Sequence, residues 1–422
     1  MRLAKGVLFI TPKNGRFFAV FCRCGSELIR QIFHHRFPAG NREKTLSIDS
    51  SSRTAGVFAL AIVKALTKSR RLIDTQVQLK EFLPKLRKSS WVSIDTEADS
   101  LHSYPEKLCL LQISLPRSDV LIDPLAPLDA TPLFKALESK ELLIHGCDND
   151  LRLMYAAKRF IPSRVFDTMW AARLLGFTAF GLNDLLAKLL GITLDKGAQK
   201  ANWTRRPLTE KMTIYALNDS RHLRALADNL RDDLKARGRT PWHEQICDRL
   251  IREHAAPKET DPNQAWRLKG SSKLNRREQA ILRATWHWRE REAIDANKPP
   301  YFIVRHEDLV RLAETVIDKK HKTAWPAKLS NRRFKSLRDA VGQALDLPPG
   351  EHPEIPRTVR RRITQSEKLL YESLKALRDR QAKELNIDPT LIASRSTLVR
   401  LSLENGDERN QILPWQRELL NL

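Results

Sequence analysis

Asp95, Glu97 and Asp99 stand at every second position in WVSIDTEADSLHSYPEKLCLLQIS, which runs from Trp91 to Ser114. On an extended strand, residues two apart face the same side. Asp95 and Glu97 therefore present their carboxylates together, beside an apolar run. Such a pair repels and resists ionisation near a core. A divalent cation removes that cost, and hard oxygen ligands suit Mg²⁺ or Mn²⁺. An exposed edge strand with ordinary surface acids has the same pattern, so the pair alone does not decide.

Two further stretches carry acids in suggestive places. IHGCDNDLRL, from Ile144 to Leu153, runs from an apolar strand into a helix, with Asp150 at the helix start. Asp at such a position also serves as a cap. IYALNDSRHL, from Ile214 to Leu223, has helical texture and sets Tyr215 and Asp219 four apart on one face. A buried tyrosine beside a surface acid has the same spacing.

Together these segments resemble the ribonuclease D family of 3′→5′ exonucleases, within the DEDD superfamily. The first motif is Asp95-Thr-Glu97, followed by Tyr104-Pro-Glu-Lys-Leu-Cys-Leu-Leu-Gln-Ile113. The second is His145 through Asp150-Leu151, and the third is Tyr215-x-x-x-Asp219, the tyrosine variant. Gln199-Lys-Ala-Asn-Trp203-Thr-Arg-Arg-Pro-Leu208 is similar to the stretch that precedes the third motif. The likeness covers residues 71–235. Ala98, and Ala201 with Asn202, depart from the family's usual residues.

The resemblance implies that Asp95, Glu97, Asp150 and Asp219 hold two divalent ions, Mg²⁺ or Mn²⁺. Two ions roughly 3.5–4 Å apart can both activate an attacking water and stabilise the leaving oxygen. Tyr215 would orient that water. Its hydroxyl ordinarily titrates at about 10, which argues against its acting directly as a base. The implied product is a nucleoside 5′-monophosphate. His145, Arg205 and Arg206 are candidate phosphate contacts, since guanidinium in particular matches phosphate geometry. A structural strand-end histidine and solvated loop arginines are the alternatives. Asp99 is expected to support the following turn, and Asp148 to be a loop acid.

The elements around these residues read as an α/β domain. Thr75–Lys88 has helical apolar spacing, and Trp91–Asp95, Leu108–Leu115, Val120–Ile122 and Leu142–Ile144 read as strands. Helices are expected at Pro132–Glu138, Leu151–Arg159, Asp167–Leu175 and Leu182–Leu190, the last stopped by Gly191. The resemblance implies an RNase H-like fold with a mixed sheet flanked by helices, over residues 71–240. Residues 241–265 read as a linker, centred on polar Pro257–Asn263. Residues 266–350 resemble the HRDC module, a small helical bundle that binds or positions nucleic acid. Residues 360–422 resemble a second HRDC-like bundle more weakly.

The chain of 422 residues has a formal net charge of +24. That excess points to a polyanionic partner, first of all nucleic acid. It lies in the first 70 residues and beyond residue 236, whereas the acid-bearing domain is nearly balanced. Five irregularly spaced cysteines argue against a disulfide framework and for a reducing compartment. No apolar run suggests a membrane span. Residues 1–70 read as a poorly ordered basic extension, with a transit peptide, an early start codon or an RNA-binding arm as its possible origins. A cytoplasmic location is expected, or an organellar one if this is a transit peptide.

The expected activity is metal-dependent 3′→5′ exoribonuclease action on tRNA precursors or other small structured RNAs. A 3′→5′ exonuclease on DNA and a non-catalytic RNA-binding scaffold are the alternatives. The complete set Asp95, Glu97, Asp150, Tyr215 and Asp219 argues against the scaffold.

Overall fold

The computed structural model describes residues 7–13, 16–22, 71–195, 197–255, 261, 264–317, 324–355, 363–403 and 411–422. The chain divides into two compact units, Met1–Leu72 and Ile73–Leu422. In the first, strands β1 (Val7–Lys13) and β2 (Arg16–Cys22) form an antiparallel hairpin. The other expectations for residues 1–70 fall mostly outside the described residues.

From Leu72 onward the chain forms a six-stranded sheet in the order β3-β6-β5-β4-β7-β8. Its strands are β3 (Leu72–Ile73), β4 (Trp91–Ala98), β5 (Leu108–Leu115), β6 (Ser118–Ile122), β7 (Glu141–Ile144) and β8 (Arg164–Asp167). β4 pairs antiparallel with β5 and parallel with β7, so the sheet is mixed. Every residue of β5 is buried, which accounts for its nearly unbroken apolar run. β4 lies inside the sheet, and its carboxyl end carries Asp95 and Glu97. The parallel partner β7 runs the same way and leads into the helix Asp148–Lys158. Both segments thus deliver acids to one edge of the sheet, the usual place for ligands in open α/β folds.

The helix Gln76–Lys88 starts at a capping box between Thr75 and Gln78 and buries Leu79, Phe82, Leu83 and Leu86. The helix Glu210–Arg221 is capped by Thr209, whose hydroxyl accepts from the Met212 N–H at 3.2 Å. It packs on β5, where Ser114 Oγ and Ser220 Oγ are 3.0 Å apart. That contact aims Tyr215 and Asp219 at the sheet edge.

Packing regroups the later segments. Thr240–His254 is a helix, so much of the expected linker belongs to the nuclease. It buries His243, Ile246, Cys247 and Leu250, an i, i+3, i+4, i+7 stripe concealed by the polar residues around it. Pro257–Asn263 lies largely outside the described residues.

Residues 266–317 and 324–345 form a helical bundle with its own core, including Trp266, Leu282, Trp288, Leu309 and Leu337. Trp288 Nε1 donates to Ser336 Oγ at 2.8 Å, so this tryptophan is core, as its pattern indicates. The terminal bundle, by contrast, shares one apolar cluster with the nuclease through Leu374, Ile387, Leu391 and Trp415. Trp415 stacks on Trp242 of the nuclease with ring centroids 4.8 Å apart. Arg239 donates to the carbonyls of Leu174 and Leu385 and so ties the two segments together.

Candidate functional site

Asp95, Glu97 and Asp219 each offer a carboxylate oxygen, and these oxygens lie within 4.8 Å of one another. They line a cavity of about 410 Å³ together with Thr96, His145 and Tyr215. Gly181–Asp184, Leu194, Asp195 and Gln199 line it as well. The β4–β5 register shifts between Glu97 and Ala98, a bulge at the end of the acidic strand.

Asp150 takes a different place. It is buried, and its Oδ1 accepts a hydrogen bond from Thr96 Oγ1 at 2.6 Å. It falls outside the three-carboxylate group but is close enough that its charge raises the pKa of Asp95. Thr96 was not foreseen, although its position between the two strand acids was the available signal.

The electrostatics of this cavity are those of charge in excess. Burial and then the charges of Asp150, Asp219 and Glu97 hold Asp95 well above the usual carboxylate range. Burial, then Asp219 and Asp150, pushes Glu97 up to about 9. Burial also raises Asp150 and Asp219 to about 7, opposed by hydrogen bonds from Thr96 and Tyr215 respectively. Gln112, opposite Asp95 in the β4–β5 register, is buried with neither end of its amide partnered among the described residues. A buried polar group left unmatched costs about 1–3 kcal/mol. Clustered carboxylates beside an orphaned amide fit a site for divalent cations. When bound, such ions supply charge neutralisation and polarise phosphate and water oxygens.

The Tyr215 hydroxyl lies close enough to the Asp219 carboxylate for each to shift the other's pKa. Burial and the charges of Asp219, Glu97 and Asp95 push its hydroxyl pKa further up, so it keeps its proton. Trp203 packs against it with ring centroids 6.1 Å apart. These contacts suit a tyrosine that orients a water rather than one that deprotonates it.

The three substrate candidates separate. Arg206 is committed inside the protein. Its guanidinium donates to both carboxylate oxygens of Asp123, at 2.5 and 2.7 Å, and to the carbonyls of Trp203, Arg205 and Cys109. It is a structural tie, in contrast to the phosphate contact its type suggested. Arg205 is exposed on the same loop. His145 lines the cavity, with Nδ1 2.9 Å from Thr168 Oγ1. That hydroxyl donates to the Ile144 carbonyl, so it accepts from Nδ1–H. Nε2 is then an acceptor in the neutral ring, and burial lowers the histidine's pKa. An acceptor nitrogen suits a sugar hydroxyl or a water better than a phosphate oxygen.

Asp99 is buried and supports the turn, as its place indicates. Its carboxylate accepts from the Lys107 N–H at 2.7 Å, and its carbonyl from the N–H groups of His102 and Ser103. Asp148 is exposed at the start of its helix.

Residues 70–235 match a family described as 3′→5′ exonuclease. The chain is 30% identical over 360 residues to a ribonuclease D of Granulibacter bethesdensis, covering 83% of this chain and 90% of the relative. A ribonuclease D of Gluconacetobacter diazotrophicus is 30% identical over 355 residues, with 82% and 89% covered.

The chain belongs to the ribonuclease D family.

It is a 3′→5′ exoribonuclease, and its exonuclease domain is of a divalent-metal-dependent kind. The crystal structure of Escherichia coli RNase D superposes with a TM-score of 0.65 at 23% identity, covering 83% of this chain and 98% of that one. A protein from Bifidobacterium adolescentis gives a TM-score of 0.70 at 21% identity, with 83% and 94% covered. Both likenesses bear on the fold, including the sheet and the helical region behind it.

Proposed function

We propose that this exoribonuclease trims the 3′ ends of tRNA precursors or other small structured RNAs, with Asp95, Glu97, Asp150 and Asp219 as ligands for two ions, Mg²⁺ or Mn²⁺. The observation that carries the reading is the meeting of three carboxylates and a proton-bearing tyrosine in one cavity. The ions, when bound, neutralise this cluster and stabilise charge on the reacting phosphate.

The chain's own groups do the rest. Tyr215, fixed by Asp219 and Trp203, holds the attacking water in line with the terminal phosphodiester. Thr96 fixes Asp150, so the fourth carboxylate keeps one orientation. His145 Nε2 accepts a hydrogen bond from the terminal sugar. The bundle at residues 266–317 and 324–345 has a core independent of the nuclease and can offer its basic surface to the folded body of the RNA. Tyr104, in the turn after β4, donates to Glu290 of that bundle at 2.5 Å, a direct tie between the acidic strand's exit and the bundle.

The test is a precursor tRNA carrying a 3′ extension, incubated with Mg²⁺ or Mn²⁺ and sampled over time. Stepwise shortening that slows at the edge of the folded body is expected. Equal degradation of the folded body and the tail would count against a processing role.

A further inference from the structure

We infer that Arg173 and Phe180 form a subsite for the single-stranded RNA 5′ of the terminal dinucleotide, Arg173 taking a phosphate and Phe180 a base. The inference rests on reading the acid-lined cavity as the 3′-end site. Gly181 lines that cavity. Its neighbour Phe180 lines a second cavity of about 410 Å³, between the nuclease and the terminal bundle. The linings of the two cavities are therefore adjacent in the chain at Phe180 and Gly181.

The second cavity has the chemistry of a single-strand track. Arg173 is held by rings, its Cζ 4.2 Å from the centroid of Trp170 and 5.4 Å from that of Phe180. Among the described residues, no hydrogen bond or ion pair engages its guanidinium. Five N–H donors on a planar fork, pre-set by aromatic contacts, match a phosphate. Phe180 keeps 36% of its surface exposed, enough of an apolar side chain to receive a base. Lys188 lies over the Phe177 ring at 4.7 Å, and Lys383 reaches the cavity from the terminal bundle. The cavity's acid, Asp388, accepts the N–H and hydroxyl of Thr390 on Oδ1, at 2.7 and 2.6 Å, and its charge is felt by Arg173 without forming an ion pair. Cations paired with aromatic faces are the usual means of binding single strands without reading sequence.

A purely structural Arg173, covering Trp170 and Phe180 with its stem, is the competing account. Arg173→Gln and Phe180→Leu separate the two, with Arg173→Lys as the charge-keeping control. Binding of a single-stranded RNA of about ten nucleotides is followed by fluorescence anisotropy across a salt series. Asp95→Ala is present in every protein, so that no cleavage interferes. In the otherwise unaltered enzyme, kcat/KM is measured with Mg²⁺ on the same RNA and on a dinucleotide.

Arg173→Gln should weaken binding of the longer RNA about tenfold. It should reduce the slope of log K against log salt by about 0.7, one phosphate contact on a single strand. The ratio of kcat/KM for long RNA to that for dinucleotide should fall by about tenfold for Arg173→Gln and by a smaller factor for Phe180→Leu. Arg173→Lys should retain the salt slope. An unchanged salt slope, or equal losses on both substrates with a lowered Tm, would overturn the subsite. If the parent enzyme shortens no RNA at all, the reading of the acid cavity fails instead, and separately.

Discussion

Thr96 lies between two of the acids and serves a third. Its 2.6 Å hydrogen bond to Asp150 is charge-assisted and mostly out of water. Hydrogen bonds to charged groups contribute about 1.5–3 kcal/mol. Thr96→Val should therefore lower kcat/KM by about tenfold to a hundredfold and weaken Mn²⁺ binding followed by calorimetry, whereas Thr96→Ser should retain most of both.

The carboxylates also make a prediction about stability. Their folded-state pKa values, about 9 for Glu97 and about 7 for Asp150 and Asp219, are raised. Unfolded values are about 4. The folded state thus holds more protons than the unfolded state between these limits, so this cluster's contribution falls as pH rises from about 4 through about 9. In EDTA, the protein should melt at a higher temperature at pH 5 than at pH 8 as far as these groups decide it. Asp219→Asn should raise the melting temperature in EDTA at pH 8. Mg²⁺ should stabilise the parent more at pH 8 than at pH 5. A Mg²⁺ effect independent of pH would contradict the cage.

Residue types made the acids legible, because carboxylates beside an apolar run require an explanation. Arg206 was not legible, because its partner Asp123 lies 83 residues away in sequence.

Among the elements, long strands and capped helices were readable from their own periodicity. β8 was not, because only Val165 and Phe166 of Arg164–Asp167 are apolar and it holds its place through parallel pairing with β7. The helix Thr240–His254 was read as linker, because its buried stripe is diluted by charged residues. Apolar spacing shows that a helix buries a face but not which partner covers it. The terminal bundle illustrates this, since its helices pack on one another and their apolar face also joins the nuclease core. Removing residues 363–422 would uncover Trp242, which stacks on Trp415, and would take from Arg239 its bond to the Leu385 carbonyl. That truncation should sharply lower the melting temperature, since each large apolar side chain uncovered costs about 1.5–3 kcal/mol. It should also abolish activity on every substrate. A truncated chain that melts like the parent would show that the terminal bundle is independent.

For the whole molecule, the surplus of positive charge and the acid-lined cavity are complementary. Basic segments attract a polyanion from a distance, and the acids, with their cations, act only at its 3′ end. Net charge was legible from composition, as was its uneven distribution. The path by which a tail reaches the cavity was not, because it depends on a contact between segments some 200 residues apart in the chain, Arg173 to Phe180 on one side and Lys383 to Asp388 on the other.

The most direct measurement offers matched 3′-tailed RNA and DNA to the protein with Mg²⁺ or Mn²⁺, alongside Asp95→Ala and Asp219→Asn. Stepwise release of 5′-monophosphates from the RNA is expected, with each substitution reducing the rate by about a thousandfold, the scale on which lost electrostatic groups cost catalysis. Preferential loss of the DNA, or RNA cleavage that survives both substitutions, would contradict it.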